Sequence, residues 1–176
     1  MDIAKKILIV GGGAGGIATA TSLLKRDRSL DITIIEPSDD HYYQPGWTMV
    51  GAGIFSKEDT RRDTLSVWPS GVTRIKGEVE KFEPAKNLVK LSDGSSIKYE
   101  TLVVACGLKL DWDSIEGLNE ALGKNGVTSN YRYDLAPYTW KLVQEMKGKE
   151  AIFTQPAMPI KCAGAPQKAM YLSCDH

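Results

Sequence analysis

Residues 11–16 read GGGAGG and follow directly on KKILIV at 5–10. A short, continuous, β-branched apolar run is what a parallel strand buried on both faces requires. Residues 17–25, IATATSLLK, then place Ile17, Ala20, Leu23 and Leu24 on one helical face, and RDRS at 26–29 closes the helix with polar residues. DITIIE at 31–36 is a second strand, and it stops on an acid. Gly11, Gly13 and Gly16 fit G-x-G-x-x-G, with Glu36 lying 20 residues beyond Gly16. Alone that pattern is weak. Between a strand and a helix, with an acid at that distance, it is the dinucleotide-binding fingerprint. Gly11 allows the tight turn, Gly13 lets backbone approach a pyrophosphate, and Gly16 lets the helix pack close to the strand. The helix N-terminus offers free N–H groups and partial positive charge to phosphates. Glu36 is placed to accept hydrogen bonds from both hydroxyls of an adenosine ribose and to repel a 2′-phosphate.

Composition narrows the function classes. With 176 residues the chain is long enough to bury a real core. Lys+Arg and Asp+Glu are both 22, so the net charge is zero and no basic footprint for nucleic acid or acidic lipid exists. The cysteines are Cys106, Cys162 and Cys174. Three, with no C-x-x-C pair and only His41 and His176 beside them, predict neither a disulfide framework nor a zinc site, and fit a reducing compartment. No metal ligand set is expected. The first apolar run is too short for a signal-peptide core, and no stretch approaches the roughly 18 apolar residues that span a bilayer.

NAD and FAD share the fingerprint, so later residues must decide between them. After Glu36 the chain runs through the polar and aromatic loop PSDDHYYQPGW instead of a second regular βα unit. Residues 72–82 read as a strand, and NLVKL at 87–91 as another. The Asp93-Gly94 turn then returns the chain as a strand over 95–99. TLVVA at 101–105 is a further buried parallel strand, closed by Cys106-Gly107. An antiparallel meander at about 72–99, inserted in an α/β fold, resembles the FAD domain of the flavoprotein disulfide reductase superfamily. In that superfamily the strand before the flavin ends in Ala-Thr-Gly; here it is Ala105-Cys106-Gly107. Gly107 brings bare backbone close to the cofactor.

EAIFT at 150–154 reads as another buried strand, opening a new unit after the polar stretch 144–149. In the superfamily this place begins a second nucleotide domain, with a glycine-rich turn in members that use NAD(P)H. Here the turn, QPAMPIKCAGAP at 155–166, has one glycine and three prolines. Side chains stand where a pyrophosphate needs bare backbone, and proline removes N–H donors. The turn carries Cys162 instead, beside Lys161 and ahead of a helix start at residues 165–168 with Pro166 in its first turn. A cationic neighbour and a helix N-terminus favour thiolate, so Cys162 is a candidate redox nucleophile; a small packed apolar residue is the alternative.

PAMPIKCAGAPQKAMYL and EPSDDHYYQPGWTMVGAG are very similar to segments of the sulfide:quinone oxidoreductases of mitochondria and many bacteria. That resemblance spans nearly the whole chain. It implies FAD held by the first turn, Ala14 and Gly15 included, by Glu36, and by Gln44 and Val79. It makes Cys162 one of two cysteines that carry sulfur as persulfide during turnover, with hydrogen sulfide as electron donor and a membrane quinone as acceptor. Some bacterial members carry a further cysteine in the segment matching 128–133; TSNYRY has none. Members are longer than this chain. The resemblance therefore implies an N-terminal fragment, inactive alone and itself soluble, with the second redox cysteine, the quinone pocket and the membrane contact beyond residue 176. The expected division is 1–110 as FAD domain, 111–148 as connection, and 149–176 as the opening βα unit of a second Rossmann-like domain. The expected location is peripheral, on the cytoplasmic face of a bacterial inner membrane, and a homo-oligomer is compatible with the resemblance. Two other readings are a type II NADH:quinone dehydrogenase, which needs a glycine-rich turn near 155–166, and a non-catalytic FAD-binding fragment. Cys106 has a packing place near the flavin, and Cys174 is read as a core-facing helix residue or as a thiol exposed by truncation. Trp47, Trp68, Trp112 and Trp140 are read as core or interface, and His41 and Tyr42 as loop residues that pack or hydrogen-bond.

Overall fold

The computed structural model describes residues 4–148 and 150–176. Residues 1–3, and Lys149 at the expected opening of the second domain, lie outside the described residues. In chain order the elements are β1 (Ala4–Val10), α1 (Ala14–Arg26), β2 (Ile32–Ile35), β3 (Asp40–Tyr42), α2 (Trp47–Val50), β4 (Arg61–Asp63), β5 (Val72–Ile75), β6 (Val79–Glu83), β7 (Leu88–Leu91), β8 (Ser96–Val104), α3 (Leu118–Ala121), α4 (Ala136–Gln144) and α5 (Gly164–Asp175). They form two compact units, Met1–His41 with Arg62–Lys109, and Tyr42–Arg61 with Leu110–His176. β3 and β4 pair with each other as a two-stranded ribbon.

The first unit is built on a six-stranded sheet of order β5-β2-β1-β8-β7-β6. β1 lies between β2 and β8, parallel to both, with Val10 opposite Ile35 and Val104. A central strand so flanked must be apolar on both faces, and residues 8–10 are buried. The period of two then sorts the side chains. Ile9, Ile32 and Ile34 face Ala20, with Leu23 and Leu24 of α1 packed against them. Leu8, Val10 and Ile35 join Val89, Leu91, Ile97 and Tyr99 in a second cluster. Fully burying an Ile or Leu contributes about 1.5–3 kcal/mol, so these two clusters dominate the unit's stability.

α1 starts at the glycine run because nothing there blocks it. Gly13 is its N-cap, no side chain caps it, and its first turn carries no acid. Lys25 and Arg26 sit in the last turn, where a cation suits the helix dipole. The helix stops at Asp27, whose backbone is extended and whose carboxylate accepts hydrogen bonds from the Ser29 amide and hydroxyl at 2.8 and 2.6 Å.

The sheet departs from the sequence reading in two places. The expected strand 72–82 is two strands. Val72–Ile75 pairs parallel with β2 at the edge of the sheet, while Val79–Glu83 pairs antiparallel with β7. Lys76-Gly77-Glu78 separates them, and a Cβ on Gly77 would press on Leu91 at 3.2 Å. The meander therefore comprises β6, β7 and the start of β8, and it continues the parallel sheet instead of standing apart. Second, 95–99 and 101–105 are one strand, β8, because only Glu100 lies between them and nothing there breaks extended backbone. Ser96 to Lys98 pair antiparallel with β7, and Lys98 to Val104 run parallel with β1 on the other side. The Asp-Gly turn forms as expected: Gly94 has φ 85°, and Asp93 accepts from the Ser95 amide at 2.8 Å.

The second unit is helical. Trp47 is 7% exposed and packs with Val50 and Ala136, joined by Tyr42 and Tyr133. The rings of Tyr42 and Tyr133 lie 4.9 Å apart and those of Tyr42 and Trp47 5.9 Å. A Cβ on Gly51 would meet the Asn130 amide at 2.5 Å, and one on Gly53 would meet the Trp140 indole at 2.3 Å, so the loop carrying YYQPGW is pressed onto residues 130–140. The expected strand at 150–154 is not formed. The segment is exposed, with Ile152 81% exposed. A strand needs a neighbour for its backbone N–H and C=O groups, and among the described residues no strand follows β8 to pair with it. The helix after it does form, beginning at Gly164 with Pro166 in its first turn.

Candidate functional site

In the first unit the C-terminal ends of β1, β2 and β8 gather four of the expected positions: the glycine turn, Glu36, Cys106 and Gly107. Gly11 has φ 103°, a conformation that glycine adopts without strain, and a Cβ there would lie 2.3 Å from the Ala105 carbonyl oxygen. A Cβ on Gly16 would lie 1.9 Å from the Gly11 carbonyl oxygen and 3.3 Å from Ile9. Both glycines are therefore demanded by packing alone. Gly13 and Ala14 are exposed, and a Cβ on Gly13 would meet nothing within 4 Å. Gly15 is equally open, its nearest neighbour being the Ala105 methyl at 3.9 Å. Bare backbone facing open space, ahead of an uncapped helix N-terminus, is the cradle a pyrophosphate requires.

Gly12 was not singled out by the fingerprint, yet it does structural work. Its amide donates to the Glu36 carboxylate at 2.7 Å, and a Cβ on it would lie 2.8 Å from that of Glu36. The other carboxylate oxygen accepts from the Ser38 amide at 2.8 Å. Each oxygen retains acceptor capacity, so the half-buried Glu36 can tie two loops and still receive ribose hydroxyls. The residues fit an adenine dinucleotide such as FAD. Glu36→Gln should lower the FAD content of the purified protein, since a hydrogen bond to a charged acceptor is worth about 1.5–3 kcal/mol. It should also lower the urea midpoint, through the weakened Gly12 and Ser38 bonds. Unchanged occupancy in dilute protein would show that the ribose lies elsewhere.

Gly107 follows β8 with φ 71° and open space around it. Cys106 is exposed, and its thiol donates to the Val10 carbonyl at 3.7 Å. Val79 opens β6 opposite Leu91 and is partly buried against the Leu8 and Val89 cluster.

The second unit holds Gln44 and Cys162, and it brings them together. The Lys161 ammonium donates to the Gln44 side-chain oxygen at 2.9 Å. Cys162 immediately precedes Ala163, the N-cap of α5. Its thiol is free, and the residue is exposed. Its φ is 60°, left-handed backbone that a cysteine seldom adopts. Its carbonyl accepts from the Ala165 amide at 2.9 Å. The Tyr131 hydroxyl donates to the Lys161 carbonyl at 2.6 Å and reaches the Cys162 carbonyl at 3.3 Å. Desolvation, and secondarily the negative charge of an ionised Cys162, push the Tyr131 hydroxyl above its ordinary pKa, so it stays a proton donor. Gln44, Trp47, Asn130, Tyr131, Lys161 and Cys162 line a small pocket of about 50 Å³. That is room enough for a few waters or for hydrosulfide. Cys174 is exposed on α5, which buries none of its residues, so it does not face a core. Among the described residues no cluster of three or more His, Cys, Asp or Glu side chains could hold a metal, and no helix is long and apolar enough to cross a membrane.

A mostly parallel sheet, a glycine turn opening α1 and an acid closing β2 define the Rossmann-like dinucleotide domain of the flavoprotein reductases. The family model for pyridine nucleotide-disulphide oxidoreductases matches residues 5–144, and the chain belongs to that family. The family, with its sulfide:quinone oxidoreductases, consists of FAD-dependent flavoproteins. The chain is 50% identical over 173 residues to the mitochondrial sulfide:quinone oxidoreductase of Dictyostelium discoideum, covering 97% of this chain and 38% of that protein. To the mitochondrial enzyme of Mus musculus it is 45% identical over 168 residues, covering 96% of this chain and 37% of that one. The crystal structure of the sulfide:quinone oxidoreductase from Aquifex aeolicus matches with a TM-score of 0.65 and 30% identity, over 80% of this chain and 32% of that one. Type II NADH:quinone oxidoreductases match more distantly, at 29–32% identity over 58–66% of this chain. The chain thus spans about two-fifths of the length of the curated relatives it matches.

Proposed function

We propose that the protein to which these residues belong oxidises sulfide and passes the electrons to a quinone, with Cys162 as a sulfur-carrying catalytic residue. One observation carries the reading: the second turn, where an NADH-using relative needs glycine, carries a cysteine that lines a small pocket with room for hydrosulfide. Hydrosulfide attacks a disulfide of which Cys162 is one member. The S–S bond breaks, Cys162 keeps the incoming sulfur as a persulfide, and the other cysteine leaves as thiolate. FAD, when bound, supplies the two-electron acceptor that a quinone reoxidises. Gly11, Gly13, Ala14, Gly15 and Gly16 would present bare backbone and helix N–H groups to its phosphates, Glu36 would hold its ribose, and Gln44, Val79 and Gly107 would complete the contacts from this chain. Lys161 anchors the cysteine turn to Gln44, a tie that orients both.

The wider expectations belong to the same reading. Residues 1–110 serve as the FAD domain, 111–148 connect, and 149–176 open a second nucleotide-type domain that has exchanged its phosphate turn for a sulfur turn. The quinone draws the protein to a membrane surface, peripherally, on the cytoplasmic face in a bacterium, and a homo-oligomer is compatible with this reading. The test is steady-state quinone reduction by the native protein with sulfide or NADH as donor. Turnover with sulfide and none with NADH is expected; the reverse would return the protein to the type II NADH:quinone dehydrogenases.

A further inference from the structure

We propose that Tyr131 is a positioning residue for Cys162, its hydroxyl tying down the Lys161 carbonyl that precedes the cysteine, with the Cys162 carbonyl in reach, so that the thiol is presented to the pocket. This rests on Cys162 being the sulfur-carrying residue. The reason to look for such a device is the backbone of Cys162 itself. With φ 60° it occupies a region that costs a non-glycine residue, and such a conformation persists only where its surroundings hold it. Two ties reach the backbone here, beside the side-chain bond from Lys161 to Gln44. The Ala165 amide bonds the Cys162 carbonyl from the helix side at 2.9 Å. The Tyr131 hydroxyl, brought from a segment 30 residues earlier, bonds the Lys161 carbonyl at 2.6 Å with the Cys162 carbonyl also in reach at 3.3 Å. The first tie is internal to the turn and would survive any rotation of the whole turn. The second is the one that fixes the turn against the 128–133 segment of the same unit.

The chemistry of the hydroxyl suits this role. Desolvation, and secondarily the negative charge of an ionised Cys162, push the hydroxyl above its ordinary pKa. Its hydrogen bond is directed at backbone, to the Lys161 carbonyl with that of Cys162 in reach. Tyr131 acts through Cys162 and not on substrate.

The test is Tyr131→Phe in the native holoenzyme, which deletes the hydroxyl and keeps the ring. Two half-reactions are followed separately by flavin absorbance. The first is reduction of oxidised enzyme by sulfide, and the second is reoxidation by quinone of enzyme reduced photochemically. A positioning role predicts sulfide-driven reduction slowed by about tenfold, the scale of one lost hydrogen bond, with FAD content and the quinone half-reaction unchanged. A general structural role would slow both half-reactions together or release FAD, and would overturn the proposal. Equal sulfide rates in variant and wild type would overturn it too, while leaving the function intact. If sulfide fails to reduce the wild-type flavin, the function itself falls, and the positioning of Cys162 for sulfide falls with it.

Discussion

Cys162→Ser in the native protein should retain oxidised, yellow FAD and lose sulfide-driven flavin reduction. Serine matches cysteine closely in size but can neither form a disulfide nor hold sulfane sulfur. The fold has no reason to object. Cys162 is exposed, and the ties at this position run to its carbonyl, which serine keeps. A stability change within about 0.5 kcal/mol is expected, as for exposed positions generally. The loss should therefore lie in chemistry. Stopped-flow mixing with sulfide is the check. Bleaching of the serine variant at the wild-type rate would remove Cys162 from the chemistry and leave the electrons without an entry point in this chain.

The second large effect separates two glycines that the same motif supplies. Gly13→Val should fold normally and lose FAD. Its backbone is extended at φ −71°, which valine accepts, and nothing lies within 4 Å of its Cβ. The open side is the one the pyrophosphate would approach, so a branched side chain there should cost well over the ~1.4 kcal/mol that changes affinity tenfold. Gly16→Ala should do the opposite in kind. Its Cβ would sit 1.9 Å from the Gly11 carbonyl oxygen, so α1 must move off β1, and forced overpacking costs about 1–3 kcal/mol. Urea midpoints and FAD content, measured on both variants, distinguish the two. A Gly13 variant that keeps its FAD would contradict the placement of the phosphates.

What could be read in the sequence was what is local. β1, α1 and β2 follow from apolar spacing between a glycine run and an acid, and all three formed where that spacing put them. The Asp93-Gly94 turn is equally local. Errors arose where partners decide. Residues 72–82 carry an unbroken strand-like composition, but β2 captures the first half in parallel and β7 the second in antiparallel pairing. EAIFT has strand composition and no neighbour to pair with among the described residues. The site was legible to the same extent. Gly11, Gly13, Gly16 and Glu36 come from a motif whose mechanics are local. Gly12 was hidden inside a run of glycines that all looked alike, and only its contact with Glu36 shows why it is there. Tyr131 bonds a carbonyl 30 residues away and Lys161 an amide 117 residues away, and no periodicity reports contacts of that kind.

Sulfur on Cys162 is the claim on which the rest depends. Peptide mass spectrometry of the native protein, quenched by alkylation after anaerobic exposure to a small excess of sulfide, tests it most directly. The account predicts that the Cys162 peptide gains the mass of sulfane sulfur while the Cys106 and Cys174 peptides stay as plain alkylated thiols. A Cys162 peptide without added sulfur, under conditions in which sulfide has reduced the flavin, would contradict it.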